Sequence, residues 1–251
     1  MSSDNPFYQQ AFDTLTQSKL FGQLDQKVID ELLQKFKIIH WEKGETIDSE
    51  IGTKYCHIII EGKLKITHID PETSRTIAPF LLSHGDIFDV FSLLDGEEHI
   101  VFPVAMDHVT ALYLPIEEAR QCLCDHPEFN KQFLPYLGKM MRQLEHFGIS
   151  QIFDDTITRL ANLILRHTHP HKDPHDGHCN VHLINNLSHE SLAEMIGSVR
   201  SVVSTQMHKL KEEEIILSKR GHLAVKNLEK LIQKIDKYHC IPNKPHLHKE
   251  G

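Results

Sequence analysis

The chain has 251 residues, with 27 Lys and Arg against 35 Asp and Glu, a formal net charge of −8 and 40% hydrophobic residues. That length suits about two domains with substantial cores, and the net acidity argues against a uniformly basic nucleic-acid surface. Cys56, Cys122, Cys124, Cys179 and Cys240 are irregularly spaced with no CxxC pair, there is no apolar run long enough to span a bilayer, and the polar start MSSDNPFYQQ has no signal pattern; a disulfide framework is excluded and a cytoplasmic protein without membrane association is expected.

From Phe7 to Lys37 the pattern is helical, with Leu15, Leu20, Phe21, Leu24, Val28, Leu32, Leu33 and Phe36 as its apolar set. Between Ile38 and Leu114 the texture changes to short β-type runs, Ile38 to Trp41, Tyr55 to Ile60, Leu64 to Ile69, Ile77 to Leu82 and Val109 to Leu114, with glycines at 44, 62 and 85 in the breaks. Such spacing predicts a small antiparallel barrel or roll. A short helix is expected over Pro115 to Cys124.

From Phe129 a helical pattern resumes. Phe133, Leu137, Met140, Leu144, Phe147 and Gln151 follow at intervals of 4, 3, 4, 3 and 4, a heptad seam. So narrow a stripe predicts a parallel dimer through these residues, the alternative being packing against the chain's own roll. Pro135 implies a kink or a fresh start early in this helix. A further amphipathic helix covers Asp154 to His167. After it come His167, His169, His171, His175, His178, His182 and Cys179 among prolines, aspartates and a glycine. Imidazole donors at this density suit a divalent metal such as zinc, nickel or copper, and His167, His169, His171, His175, His178 and Cys179 are the candidate ligands. The alternative is a solvated loop.

The stretch SHESLAEMIGSVRSVVSTQMHKLKEE at 188–213 carries the most specific pattern. Ser188 is an N-cap candidate, Gly197 ends a first short helix, and Val199 to Lys211 reads as a second helix with Val199, Val203, Met207 and Leu210 on one stripe. Its opposite face carries Arg200, Ser201, Ser204, Thr205 and His208, side chains able to approach a duplex and bond base edges or phosphates. Two helices joined at a glycine in this way form a helix-turn-helix pattern. Ile215 to Leu217, a turn at Ser218-Lys219-Arg220-Gly221, and His222 to Val225 then predict a hairpin, or wing, with a basic tip. Within 188–226 six cations face five carboxylates, so the acidity lies mostly elsewhere. A last helix reaches about Lys237, before a loose tail.

In the order of its parts the chain resembles the catabolite-activator and FNR family of bacterial transcription regulators. The resemblance rests on WEKGETI at 41–47, HIIIEGKLKI at 57–66, LLSHGDIF at 81–88, HPEF at 126–129 and LSHESLAEMIGSVRSVVSTQMHKLKEEEII at 187–216. It implies an α+β architecture: an effector-binding β-roll of the cyclic-nucleotide-binding type with flanking helices over 1–125, a dimerisation helix over 126–152, a winged helix-turn-helix over 153–238 and a flexible tail over 239–251. Dimerisation is expected through Phe133, Leu137, Met140, Leu144 and Phe147. DNA contacts are expected from Ser198, Arg200, Ser201, Ser204, Thr205, His208, Lys209, Lys219 and Arg220. Arg200 falls on the family's base- or phosphate-reading position, Ser201 stands where many members have a cytosine-reading glutamate, and Thr205 where some have a second arginine.

Cyclic-nucleotide members of that family carry Gly-Glu-Leu and Arg-Ser-Ala runs that hold ribose and cyclic phosphate. Here Asp89-Val90-Phe91 and His99-Ile100-Val101 stand in those places. The resemblance thus implies a pocket at Phe88, Asp89, Val90, Phe91, His99 and Ile100 that does not take cyclic AMP in the usual way, because neither polar anchor is present. With Cys56 the first cysteine, no iron–sulfur cluster is expected. A haem, ligated by His84, His99, His108 or Cys56 beside Phe88, Phe91, Phe102 and Val104, is one alternative; a metal-responsive regulator and a regulator with no small-molecule effector are the others. No GxSxG, Walker or HExxH motif is present, so an enzyme is not expected. The implied partners are double-stranded DNA with a two-fold symmetric operator, a second copy of the chain, and RNA polymerase.

Overall fold

The structure, a computed structural model, describes residues 5–18, 20–48, 50–172, 177–219 and 221–235. It divides into two units, Met1–Glu145 and His146–Gly251. Among the described residues no helix is long and apolar enough to cross a membrane.

The first unit opens with α1 (Tyr8–Gln17) and α2 (Gln26–Lys35), the latter capped by Asp25, which accepts from the Lys27 amide. There follow β1 (Lys37–Trp41), α3 (Glu50–Lys54), β2 (Tyr55–Glu61), β3 (Leu64–Ile69), β4 (Thr76–Leu82), β5 (Ile87–Phe88), α4 (Val90–Asp95), β6 (Phe102–Ala105), β7 (Val109–Pro115), α5 (Ile116–Asp125) and α6 (Asn130–Phe153). The strands form two antiparallel sheets in the orders β1-β7-β2-β5 and β4-β3-β6. Strand β2 explains the layering. Cys56, Ile58 and Ile60 on one face join a cluster with Leu15, Leu33 and Ala119 from the helices, while Ile59 on the other joins an interior cluster with Trp41, Leu64 and Phe88. A strand buried on both faces reads as a continuous apolar run, as Ile58-Ile59-Ile60 does within β2. Gly62 makes the β2–β3 turn at φ +85°, where a Cβ would run into the His108 carbonyl.

Four elements escape the periodicity: α3, β5, α4 and β6. Strand β6 contains Pro103, which cannot donate to a ladder; it is tolerated because β6 lies at a sheet edge. Helix α4 starts at Asp89, a residue at φ +57° whose carboxylate accepts from the Ser92 amide.

The second unit contains α7 (Thr156–Arg166), capped by Asp155, then β8 (Thr168–Lys172), β9 (Cys179–Val181), α8 (His189–Met195), α9 (Arg200–Glu212), β10 (Ile216–Lys219), β11 (His222–Val225) and α10 (Leu228–Ile235). Its sheet has the order β10-β11-β9-β8. The histidine-rich stretch is therefore not simply a loop. Thr168 pairs with Val181 and Lys172 with Cys179; β-sheet pairing overrides the loop-like composition on both sides. The tail over 239–251 lies outside the described residues.

Helix α6 differs from expectation in what its seam touches. Phe133 is buried in the helix-facing core, Leu137 and Met140 pack on that core, and Met140 and Leu144 also pack on the roll interior cluster. The Tyr136 hydroxyl accepts from the Ile87 amide at 3.2 Å, in register with this face. Phe133, Leu137, Met140 and Leu144 of the seam read as a dimer ridge thus pack on the chain's own first unit. The large apolar residues of α6 left outside are Leu134 (64% exposed), Met141 (71%), Ile149 (39%), Ile152 (75%) and Phe153 (65%). Gln151, the last seam position, turns to its own unit and donates to the Ile196 carbonyl at 3.3 Å.

Candidate nucleic-acid interface

In α8 the Ser188 hydroxyl accepts from the Ser191 amide at 3.1 Å, satisfying one of the amides that a helix start leaves open. Leu192, Ala193, Met195 and Ile196 are buried. Gly197 turns the chain at φ +61°, where any Cβ would collide with the Gln151 side chain, and the Ser198 amide returns to the Ala193 carbonyl at 2.8 Å. Helix α9 then buries Val203, Met207 and Leu210. Val199 does not belong to this stripe: it is the N-cap residue, extended and 53% exposed, because the helix begins one residue later than the apolar spacing suggests.

The outward face of α9 carries Arg200, Ser201, Ser204, Thr205, His208 and Lys209, all exposed, with Ser198 half-buried at its start. The Thr205 hydroxyl donates to the Ser201 carbonyl at 3.1 Å, and His208 lies 3.2 Å from Glu212. Charge along the helix is polarised. Its first turn has no acidic residue and begins with Arg200. Glu213 pairs with Lys234 at 2.5 Å, which holds its carboxyl below the usual range, and Glu214 pairs with Lys226 at 3.1 Å. Of the five carboxylates that made this region look nearly neutral, Glu212, Glu213 and Glu214 are gathered at the C-terminal end of α9, while Glu190 and Glu194 lie on α8. A guanidinium, three hydroxyls and the positive end of the helix dipole remain at the other end.

Beside α9, β10 and β11 pair from Ile216↔Val225 to Lys219↔His222, with Gly221 at φ +73°. Lys219 is exposed; Arg220 lies outside the described residues. A polar cleft of about 310 Å³ runs between the segment Asn185–His189 and the hairpin, floored by Leu192, Met207 and Leu223.

The pocket candidates in the roll scatter. Phe88 is in the interior core, Val90 faces the opposite, helix-side core, and Ile100 is 63% exposed. Only Asp89, Phe91 and His99 meet: His99 donates through Nδ1 to Asp89 at 2.9 Å, and its ring centroid lies 4.9 Å from that of Phe91. The Asp89 carboxylate is fully buried and also accepts from the Ser92 hydroxyl at 2.8 Å. The His68 ring lies 5.7 Å from that of His99, tilted by 53°, and completes a cluster that strand and turn patterns did not reveal.

A second residue missed by sequence reasoning is His57. It is fully buried, its ring is 5.5 Å from Trp41 and 5.9 Å from both Phe88 and Tyr113, and among the described residues neither ring nitrogen has a hydrogen-bond partner. Burial pushes it down to about 4, against a smaller opposing effect of the Asp89 charge. The sign follows. A histidine ordinarily near 6.5 that cannot charge until about 4 leaves the fold at full stability above pH 6.5 and withdraws stability as pH falls from 6.5 toward 4. The withdrawal is about 3 kcal/mol by linkage. His57→Phe is expected to flatten that loss in urea titrations at pH 7.5, 5 and 4; equal losses in both proteins would contradict the assignment.

The haem donors do not converge on one iron position. His84 bonds the Ile60 carbonyl, His108 lies 3.4 Å from Glu42 and stacks on His40, His99 is held by Asp89, and Cys56 faces the helix-side core as a thiol pushed up to about 12 by burial. Metal ligation fares no better. Among the described residues no group of three or more His, Cys, Asp or Glu is arranged to hold an ion. Cys179 is buried within the sheet, His169 meets His182 edge to face at 4.7 Å, His167, His171 and His178 do not join them in such a group, and His175 lies outside the described residues.

Comparison with known proteins agrees with this layout. Residues 158–234 match the Crp-like helix-turn-helix domain and residues 38–126 the cyclic nucleotide-binding domain. The global nitrogen regulator of Synechococcus elongatus is 26% identical over 194 residues, 76% of this chain and 86% of that protein. The cyclic AMP receptor protein of Thermus thermophilus is 24% identical over 213 residues, 83% and 93% of the two chains. In fold, a CooA mutant from Carboxydothermus hydrogenoformans superposes with a TM-score of 0.67 at 20% identity, over 81% of this chain and 89% of that one.

Proposed function

The chain belongs to the Crp/Fnr family of DNA-binding transcription regulators, and we propose that it acts as a homodimer reading a two-fold symmetric operator through the N-terminal half of α9. The observation that carries this reading is the polarity of that helix: Arg200, Ser201, Ser204 and Thr205 exposed at one end, paired carboxylates at the other. A recognition helix enters the major groove with its N-terminal residues toward the bases. Arg200 is the residue with the reach and the fork geometry to hold guanine O6 and N7 together. Lys219 in the hairpin supplies a phosphate contact.

The dimer interface in this reading lies on α6, one position on from the expected seam. Leu134, Gly138, Met141, Glu145, Gly148 and Ile152 repeat at intervals of 4, 3, 4, 3 and 4. Exposed leucine, methionine and isoleucine on one stripe favour a covering surface. A Cβ at Gly148 would meet nothing within 4 Å, and at Gly138 only the Arg142 guanidinium, so both glycines leave room for a second backbone. A parallel copy of the same stripe fits that description.

The roll in this reading senses something other than cyclic AMP held in the usual way. A cyclic phosphate needs a fixed cation; at the corresponding place His99 is already engaged by a buried carboxylate, Asp89, whose own charge repels an anion. Val90, in the place of the ribose-binding carboxylate, faces the helix-side core. Titrating cyclic AMP into the protein by calorimetry is expected to give no saturable heat and to leave affinity for a selected duplex unchanged within twofold. A micromolar binding isotherm coupled to tighter DNA binding would contradict this. Selection from random duplexes tests the reading as a whole: an enriched inverted repeat supports it, and the absence of any enrichment removes it.

A further inference from the structure

We infer that the first unit holds a binding site for a small uncharged apolar molecule in the cavity between the outer face of β2, the end of α2, and α5. This inference does not depend on how the protein reads DNA. The cavity has a volume of about 50 Å³ and is lined by Phe21, Phe36, Cys56, Cys122, His126 and Phe129 together with aliphatic side chains. None of the residues considered for the family's effector pocket lines it. It lies on the helix side of β2, the face that carries Cys56 and Ile58, whereas Ile59 points into the roll.

Three properties set the class of ligand. The walls are almost wholly apolar, so water, which needs two to four polar partners, is poorly held there. The volume is about a third of a cavity that admits benzene, which suits a molecule of roughly two to four heavy atoms, the size of a dissolved gas. The polar interruptions are two thiols and one imidazole. Burial pushes Cys56 up to about 12 and raises Cys122 despite the Lys35 ammonium 3.8 Å from its sulfur, so at neutral pH both present soft, neutral S–H groups. Charged and strongly hydrogen-bonding ligands find no anchor.

The cavity is bounded by residues of α2 and α5, which share one core with Cys56 and Ile58 of β2. Occupation adds contacts that exist only while α2 and α5 stay packed on β2, so a ligand stabilises that packing by mass action. Such a site would let a small apolar molecule tighten the first unit without entering the roll.

Xenon is a suitable probe, because it is apolar, fits the volume and needs no hydrogen bonds. Crystals of the full chain under xenon pressure are expected to show a xenon atom among Cys56, Cys122 and Phe129. In solution the xenon NMR shift is expected to saturate with protein. Ala119→Val, which adds bulk to the lining, is expected to abolish the saturable part, and so is Cys122→Met from the neighbouring turn, which serves if the first variant does not fold. Crystals with no xenon at this place, or a saturable shift that survives both substitutions, would overturn the inference.

Discussion

Arg200→Ala is expected to lower affinity for the selected operator by roughly thirtyfold or more while leaving the melting temperature unchanged. The argument starts from exposure. Arg200 begins α9 on its outward face, away from Val203, Met207 and Leu210, so its loss removes no packing. A bidentate arginine–guanine pair is worth about 1–3 kcal/mol of base discrimination. In a symmetric dimer the substitution acts at both half-sites, which doubles the cost to roughly 2–6 kcal/mol if the two are independent. The loss should also be sequence-dependent: replacing the guanine in both half-sites should lower the native protein's affinity to about that of the variant, and the variant should no longer respond to that replacement. Lys219→Ala should behave differently, weakening all duplexes alike and reducing the salt slope by about one unit per half-site.

Met141→Glu is expected to convert the dimer to a monomer and, through that, to cost operator affinity on the order of a thousandfold. Met141 is 71% exposed in the single chain, so a glutamate there is harmless to one protomer. Between two copies it places two carboxylates in an apolar seam, where each must be desolvated and the pair repels. Sedimentation should report about 29 kDa for the variant and twice that for the native protein. Leu137 provides the contrast. It packs on the helix-side core, so Leu137→Ala should destabilise the first unit by about 2–4 kcal/mol without changing the number of chains per particle. If Met141→Glu remained a dimer while Leu137→Ala dissociated, the two faces of α6 would have been assigned the wrong way round.

The packing of Phe133, Leu137, Met140 and Leu144 on the chain's own first unit shows what a sequence pattern can and cannot carry. Two heptad stripes run side by side along this helix, one at 133, 137, 140 and 144 and the other at 134, 138, 141, 148 and 152. Periodicity finds the first because all its members are large and apolar. The second is masked by Gly138 and Gly148, which count as helix-breaking rather than as apolar. Nothing in spacing alone says which stripe meets the chain's own roll; that depends on non-local contacts with β5 and the interior cluster. The helix-turn-helix was legible for the opposite reason. Ser188, Gly197 and the Val203–Met207–Leu210 stripe are local signals, each with its own physical cause within one or two turns of chain.

The roll was legible as strands but not as a site. Strand β2 announced itself as an apolar run, yet the histidine within it looked like any polar interruption; only its register against Phe88 and Tyr113 makes His57 a buried, unpaired imidazole. Asp89 at φ +57° breaks the strand-like pattern and starts α4, so residues adjacent in sequence, Phe88, Asp89 and Val90, point into three different surroundings. A pocket drawn as a contiguous segment could not anticipate that. The histidine-rich stretch misled through composition, since prolines and glycine suggest a loop while cross-strand pairs between β8 and β9 are invisible to a one-dimensional scan.

The central claim is that the N-terminal end of α9 meets guanine in the major groove, twice per duplex. Methylation interference at guanine N7 on the selected operator measures this directly. Two interfering guanines related by a dyad and about one helical turn apart, both losing their effect with Arg200→Ala, are predicted. Interference at a single guanine, or a pattern indifferent to Arg200→Ala, would contradict it.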